Sequence, residues 1–503
     1  MIAIFATSKI NSMPLKPFLL KFAVISMILI VVFSACKKTD LISDNAGIKL
    51  EFSNDSVIFD TVFTTLGSTT HRLMVYNPSG SRISISNIRV VNGESSPYRI
   101  NVDGESGYSF NNIEIEGGDS LYIFVRVTID PNDINNPFVV EDDIQFFTNS
   151  NEQNVKLVSW GQNANYIIAD TYVGGFPKFK IVADSMETVH WTSEKPYVVY
   201  GYALINSYGE LIIDEGTKVH FHENSGLWAY ADGLLKVYGT NENPVYFRGD
   251  RLEMDYDDLP GQWDRIWLME AQPGQHHEIN NAIIENGFIG LQVESFLRPA
   301  ENLVKLHNVT IQNMQGIGLF SRVYNVEGDN TLIANCGGYC LAATGGGYYS
   351  FKHSTIANYW SYSARNTPAV YLNNYLLDTL EQTIPQPINF SMANSIIYGN
   401  NNNEFQTEMV GGADSIYLLD HVNMRTLVNT GNPENFNMIW KNEDPIFLDY
   451  KMHDYRLDSL SPARMVGDIQ IASEVPFDIV GTQRTNEPDL GAYQFVPGQG
   501  DRW

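Results

Sequence analysis

Apolar and polar positions along this chain change places over short distances, and no stretch sustains the 3.6-residue period of a long amphipathic helix. Leu121, Ile123, Val125, Val127 and Ile129 place an apolar residue at every second position after the turn-like Gly117-Gly118-Asp119-Ser120, which predicts a half-buried strand. Strands also read at 57–63, 141–147 and 154–160, and Asn77-Pro78-Ser79-Gly80 separates two further apolar runs. Several short strands between residues 48 and 165 predict a β-sandwich. Beyond residue 190 the pattern changes to a recurrence. Asn281-Ala-Ile-Ile-Glu-Asn286, Asn308-Val-Thr-Ile-Gln-Asn313, Asn330-Thr-Leu-Ile-Ala-Asn335 and His353-Ser-Thr-Ile-Ala-Asn358 place Ile at 284, 311, 333 and 356, in steps of 27, 22 and 23 residues. Ile397 follows after 41, close to two further steps. A short strand repeated every 20–30 residues predicts a solenoid whose coils stack at ~4.8 Å, so that equivalent side chains form ladders. On this reading the four Ile residues face inward, and Asn286, Asn313, Asn335 and Asn358 line a corner where their amides satisfy turn polar groups.

The segments "SVIFDTVFTTLGSTTHRLMVYNPSG", "IEGGDSLYIFVRVTIDP", "DDIQFFTNS" and "VKLVSWGQN" resemble the immunoglobulin-like sandwich modules first described in ciliary and centrosomal proteins and common on bacterial surfaces. That resemblance covers residues 48–165 and implies a spacer or binding module, without chemistry. Further on, "GELIIDEGTKVHF" (209–221), "GLLKVYGTNENPVYF" (233–247) and "GQWDRIWL" (261–268) resemble the first coils of right-handed, pectate-lyase-like β-helices. "DYRLDSLSPARMVGD" and "DIVGTQRTNEPDLGAYQF" resemble the last coil and cap of that family, so the resemblance spans 190–497. The expected fold class is all-β: an immunoglobulin-like β-sandwich followed by a right-handed parallel β-helix.

At the other end of the chain, Lys16 and Lys21 precede an apolar run, Phe22–Ala35, that closes on small residues before Cys36. A basic start, a short apolar stretch and small residues predict a signal peptide over 1–35, too short for a comfortable span of ~20 residues. Met13 is an alternative start that gives a signal of more usual length. Phe33-Ser34-Ala35-Cys36 resembles the lipobox of bacterial lipoproteins, which implies lipidation of Cys36, a polar tether over 36–47 and a membrane partner through that lipid. Lys37, where an Asp would favour inner-membrane retention, points to the outer membrane, facing the periplasm or the cell surface.

Charge narrows the partners. With 32 basic and 58 acidic side chains the net charge is −26, which repels nucleic acid and offers no attraction to polyuronates or sulfated glycans. Candidate chemistry is sparse. Asp255, Asp257 and Asp258 crowd one loop and are hard oxygen donors suited to Ca²⁺, although the ligand spacing of an EF-hand is missing. His220 and His222 sit two apart with Glu223 beside them, and His276-His277-Glu278 reads as a polar loop. Cys336 and Cys340 are close enough in sequence to pair or to stay buried as thiols. Lys352 and Arg365 resemble the basic pair of alginate- and chondroitin-type lyases of this fold, in which a base takes the proton α to a uronate. Tyr349, Tyr359, Trp360 and Tyr362 belong to a dense aromatic stretch that could carry sugar rings if the side chains face outward. The motifs of polygalacturonases and of pectate lyases proper are missing. The sequence therefore leads to a lipid-anchored envelope protein whose β-helix binds glycan or a surface partner without cleaving it. A polysaccharide lyase or glycoside hydrolase, and a structural or adhesive stalk, are the alternatives.

Overall fold

The computed structural model describes residues 41–132, 137–295 and 301–498; the segment 1–35, expected to be a signal peptide, and Cys36 lie outside the described residues. The chain is all-β, and no described helix is long and apolar enough to cross a membrane. It divides into two compact units. The first is drawn from the described residues up to Ile58, from Ser68–Val127 and from Glu141–Val158; the second takes Phe59–Gly67, Thr128–Val140 and the chain from Ser159 onward.

Strands of the first unit belong to two five-stranded sheets. In one, His71–Tyr76 pairs antiparallel with Ser120–Val127, which pairs antiparallel with Tyr98–Val102. In the other, Ile83–Val90 runs antiparallel to both Ser109–Ile115 and Phe138–Thr148. The alternation is realised side chain by side chain: Leu73, Val75, Ile83, Ile85, Ile123, Val125 and Val127 are all fully buried. Asn77 explains the turn between two of these strands. Its buried amide donates to the carbonyls of Ser81, Ile115 and Glu116, and its Oδ1 accepts the Ser79 N–H at 3.1 Å.

Parallel pairing dominates the second unit. Nine strands, from Phe179–Ala183 to Phe405–Glu408, stack in one sheet, and sixteen more form a second that bends around a corner. Each strand pairs with its counterpart in the next turn of chain, an arrangement that fits a parallel β-helix. The recurrent Ile residues fall in a single column. Val219, Phe247, Ile284, Ile311, Ile333, Ile356, Ile397 and Met424 are successive register partners, and all are fully buried in one core.

Two corners flank this column. Asn286, Asn313 and Asn335 adopt left-handed backbone with φ of 64°, 57° and 50°, a conformation that Asn tolerates better than most residues. Asn313 donates to Asn286 Oδ1 at 2.7 Å. Asn358 departs from the expected series: its φ is not positive, and its buried amide instead brackets Cys336, accepting from Cys336 N and donating to Cys336 O. The first residue of each hexapeptide forms a second left-handed corner, at Asn281, Asn308, Asn330 and His353. Here Asn330 donates to Asn308 Oδ1, Asn308 to Asn281 Oδ1, and Asn281 to the Gly239 carbonyl.

Between these corners several outward residues of the later strands are apolar too. Leu332, Ala334, Ala357, Ile396 and Tyr398 form a separate core with Phe447, Tyr455, Leu457, Leu490 and Ala492 of the C-terminal segment. That segment is fastened at both corners. Arg484 donates to Asn330 Oδ1 at 2.7 Å, Asn394 exchanges bonds with both backbone groups of Asp468, and Asn335 meets His453.

Candidate functional site

The corner asparagines do more than turn the chain. Asn286 Nδ2 donates to the Asp257 carbonyl at 2.8 Å, and Asn313 Nδ2 donates to the Asp258 carbonyl at 3.0 Å, which holds the acidic loop against the coils. The C-terminal segment reaches the same place through the turn Tyr450–Met452, whose Asp449 carboxylate accepts the Lys451 N–H, and through left-handed His453. His453 Nδ1 accepts the Asn335 amide at 2.9 Å, which leaves its proton on Nε2 to donate to Asp258 Oδ1 at 2.7 Å. The ring is thereby fixed between loop and corner.

Three aromatic residues following the strand Thr355–Asn358 close this arrangement into a cleft of about 340 Å³. Tyr359 stacks on Tyr450 with centroids 4.0 Å apart, and Trp360 and Tyr362 sit 5.0 Å apart at 48°. Trp360 is anchored by Nε1 donating to Ser363 Oγ, and it is only 6% exposed. Tyr362 is 52% exposed, with its hydroxyl on the Asp258 carbonyl. Burial first, and the Asp258 charge second, push the Tyr362 phenol up, so it remains a neutral donor. Asp258, Asn335, Ser361, Asn400, Lys451 and His453 supply polar edges to a lining whose other members, Tyr359, Trp360, Tyr362 and Tyr450, are aromatic. Such a cleft can stack a sugar ring while hydrogen-bonding its hydroxyls.

Of the sequence candidates, Asp258, Tyr359, Trp360 and Tyr362 come together here. Tyr349 does not. It faces the interior, fully buried, with its hydroxyl shared between Ser321 Oγ and the Gly346 carbonyl, so no ligand can stack on it. Asp257 pairs with Arg248 at 2.7 Å while Asp255 stands exposed in a 3-10 turn, and the three loop acids do not converge. Among the described residues no group of three or more His, Cys, Asp or Glu side chains is placed to hold a metal ion.

Lys352 and Arg365 are likewise separated by their partners. Lys352 pairs on the surface with Glu474. Arg365 is buried against Glu404 at 2.6 Å, a guanidinium committed to an internal carboxylate. A lyase base must face its substrate beside a neutralising cation, and these two residues do not offer that geometry. Cys336 and Cys340 are buried free thiols, and burial followed by the Cys336 neighbour pushes the Cys340 thiol up. His220 is buried with Nδ1 on the Gly249 carbonyl, whereas half-exposed His222 pairs with Asp250. The stretch read as a polar loop begins the strand His277–Glu285. His277 is fully buried there, accepting the Leu235 N–H and donating to the Met269 carbonyl, and burial lowers its pKa to about 4. Sequence reasoning missed His453 and Tyr450, because nothing local to either residue signals a partner 195 or 91 positions away.

No family model matches the chain, and no curated protein matches it. Short stretches are similar to solved structures. A family 123 glycoside hydrolase from Clostridium perfringens is 8% identical over 23% of this chain and 27% of its own, with a TM-score of 0.17. The ASH/PapD-like domain 7 of human CEP192 is 12% identical over 24% of this chain and 90% of its own, at 0.16. The VesB protease of Vibrio cholerae is 7% identical over 22% of this chain and 31% of its own, also at 0.16. Likeness at this level fixes neither fold nor function.

Proposed function

We propose that this chain is a lipid-anchored protein of the outer membrane, facing the periplasm or the cell surface, that binds glycan without cleaving it. In this reading the first unit is an immunoglobulin-like spacer, and the second is a right-handed, pectate-lyase-like β-helix that presents the ligand cleft. The observation that carries it is the convergence of Tyr359, Trp360, Tyr362 and Tyr450 with Asp258 and His453 in one cavity. Non-catalytic binding is supported by the donor set: glycoside hydrolysis ordinarily needs two carboxyl groups across the scissile bond, and the described lining of the cleft holds one, Asp258.

Calorimetric titration against a panel of oligosaccharides tests the reading. One or more glycans bind, and Tyr362→Ala weakens that binding roughly three- to tenfold, the worth of one stacked ring. Release of unsaturated products from polysaccharide in the presence of calcium would turn the reading into a lyase, and silence across the panel would turn it into a stalk. The anchor has its own test. Cys36→Ser moves the protein from the membrane fraction to the soluble fraction, because one thiol carries the proposed lipid. Retention in the membrane would refute the lipobox reading.

A further inference from the structure

In the first unit, the sheet that contains His71–Tyr76, Ser120–Val127 and Tyr98–Val102 has an outer face unlike the rest of this acidic chain. Leu73, Val75, Ile100, Ile123 and Val125 are buried beneath it, so the alternate residues Arg72, Arg99, Tyr122, Phe124 and Arg126 point outward, and all five are exposed. Register brings them together: Arg72 lies opposite Phe124, and Arg126 lies opposite Arg99. Like charges directly across an antiparallel pair repel. Even so, among the described residues no carboxylate is ion-paired with any of the three arginines. Arg72 instead stands over the Tyr122 ring at 5.4 Å, and Arg99 over the Tyr108 ring at 3.5 Å. Cations at the other sheet are neutralised, Arg82 by Glu114 and Glu116, and Lys156 by Glu141. Tyr122 and Phe124 stack at 6.5 Å and 13°, yet they remain 44% and 43% exposed.

We infer that this face docks on the anionic lipid headgroups of the membrane that carries the chain, with its arginines on lipid phosphates and its two rings in the interfacial layer. A guanidinium binds phosphate oxygens through two N–H groups at once, and aromatic rings settle at headgroup depth. With a net charge of −26, most of the protein surface is repelled by such a membrane, and that repulsion turns the one unneutralised basic face toward it. Repulsion from the rest of the chain is screened beyond ~8 Å at physiological salt, whereas the arginines act at contact. The proposed anchor keeps the approach local. The Ser43 N–H is held by the Arg82 carbonyl, and Asn77 ties the neighbouring Ser81 carbonyl to the end of the strand His71–Tyr76. From Cys36 to Ser43 the chain can span at most about 25 Å, so a lipid on Cys36 stays within that reach of the sheet. A lipid and a basic patch reinforce each other as two membrane signals. The docking rests on the proposed lipid for this proximity alone, and it is measurable without the lipid.

Vesicle sedimentation of the chain from residue 36 onward, carrying Cys36→Ser and therefore no lipid, tests the assignment. The protein binds vesicles of phosphatidylglycerol mixed with phosphatidylcholine, releases them as salt rises, and does not bind phosphatidylcholine alone. Arg126→Gln weakens binding roughly fivefold and Arg126→Glu roughly thirtyfold, at about fivefold per unit of charge. Lys156→Glu makes the same change of charge on the other sheet and leaves binding unaltered. Because Arg126 faces Arg99, Arg126→Gln relieves a repulsion and does not lower the urea midpoint, so its lost binding is not lost folding. Phe124→Trp keeps a ring at the face, and its fluorescence is quenched by brominated lipid in the anionic vesicles only. In cells, a Cys36→Ser chain held by this face alone leaves the membrane fraction in a high-salt wash, whereas a lipidated chain stays, which separates the docking from the anchor. Equal binding to both kinds of vesicle, binding to neither, or an equal loss from Lys156→Glu would overturn the inference. So would capture by soluble polyglutamate through the same arginines with no vesicle binding, which would make the face a seat for an acidic protein.

Discussion

Ile333→Asp abolishes folding of the coiled unit, read as loss of the strand circular dichroism signal and of cooperative unfolding, while Ile333→Val costs only about 0.5–1.5 kcal/mol. The difference lies in the column. Ile333 is fully buried between Ile311 and Ile356, which pair with it on either side, so a carboxylate there has neither water nor a cation. Across the interior the fit is close. A Cβ on Gly318 would stand 2.4 Å from Ile333 Cγ2, and one on Gly290 would stand 2.4 Å from Ile311 Cγ2. The strand facing the Ile column therefore carries glycine where two successive Ile side chains point. Ile333→Ala falls between the two extremes, at about 2–5 kcal/mol, because the coils above and below hold their spacing and cannot collapse into the gap. An Ile333→Asp protein that unfolds like the wild type would remove the stacked interior from the account.

The same residues show why the coils were legible in the sequence and the site was not. Burial of Ile284, Ile311, Ile333 and Ile356 depends on neighbours one coil away, and the coil length writes itself into the sequence as a period. Left-handed Asn at 286, 313 and 335 follows from the same geometry, since a tight corner recurs at the same point of each coil. Asn358 keeps the letter and loses the role, because Cys336 and Gly338 offer its amide backbone partners inside the turn. Leu332 and Ala334, on either side of Ile333, are buried by the C-terminal segment, and that arrangement has no period to betray it. The cleft is of this second kind. Asp258 and Tyr362 stand 104 positions apart and His453 lies 195 beyond Asp258, so each looks ordinary in its own stretch. Lys352 and Arg365, close in sequence and both basic, suggested a catalytic pair only while their acidic partners, Glu474 and Glu404, were out of view.

Glu404→Gln lowers stability by about 3–5 kcal/mol and weakens ligand binding at the cleft, although Glu404 does not line it. The Glu404 carboxylate is fully buried and receives four donors: both terminal nitrogens of Arg365, at 2.9 and 2.6 Å, and the backbone N–H groups of Ala369 and Asn401, each at 2.8 Å. An amide in its place turns an NH₂ toward one or more of these donors and leaves a buried guanidinium without its counter-charge. Arg365→Met also destabilises, by stranding the carboxylate, but Ala369 and Asn401 still donate to it. In urea unfolding, the double variant Arg365→Met/Glu404→Gln loses about 1–3 kcal/mol less than the sum of the single variants, the mark of a pair that acts as a unit. The link to binding runs through the backbone. Arg365 also donates to the Asn358 and Thr367 carbonyls, tying together the two ends of the loop that carries Trp360 and Tyr362. Loosening the ion pair frees that loop, so the affinity for the proposed glycan ligand falls in Glu404→Gln under conditions where the protein is still folded. Additive losses in the unfolding cycle, or unchanged affinity in the folded variant, would separate the buried pair from the aromatic wall it is argued to hold in place.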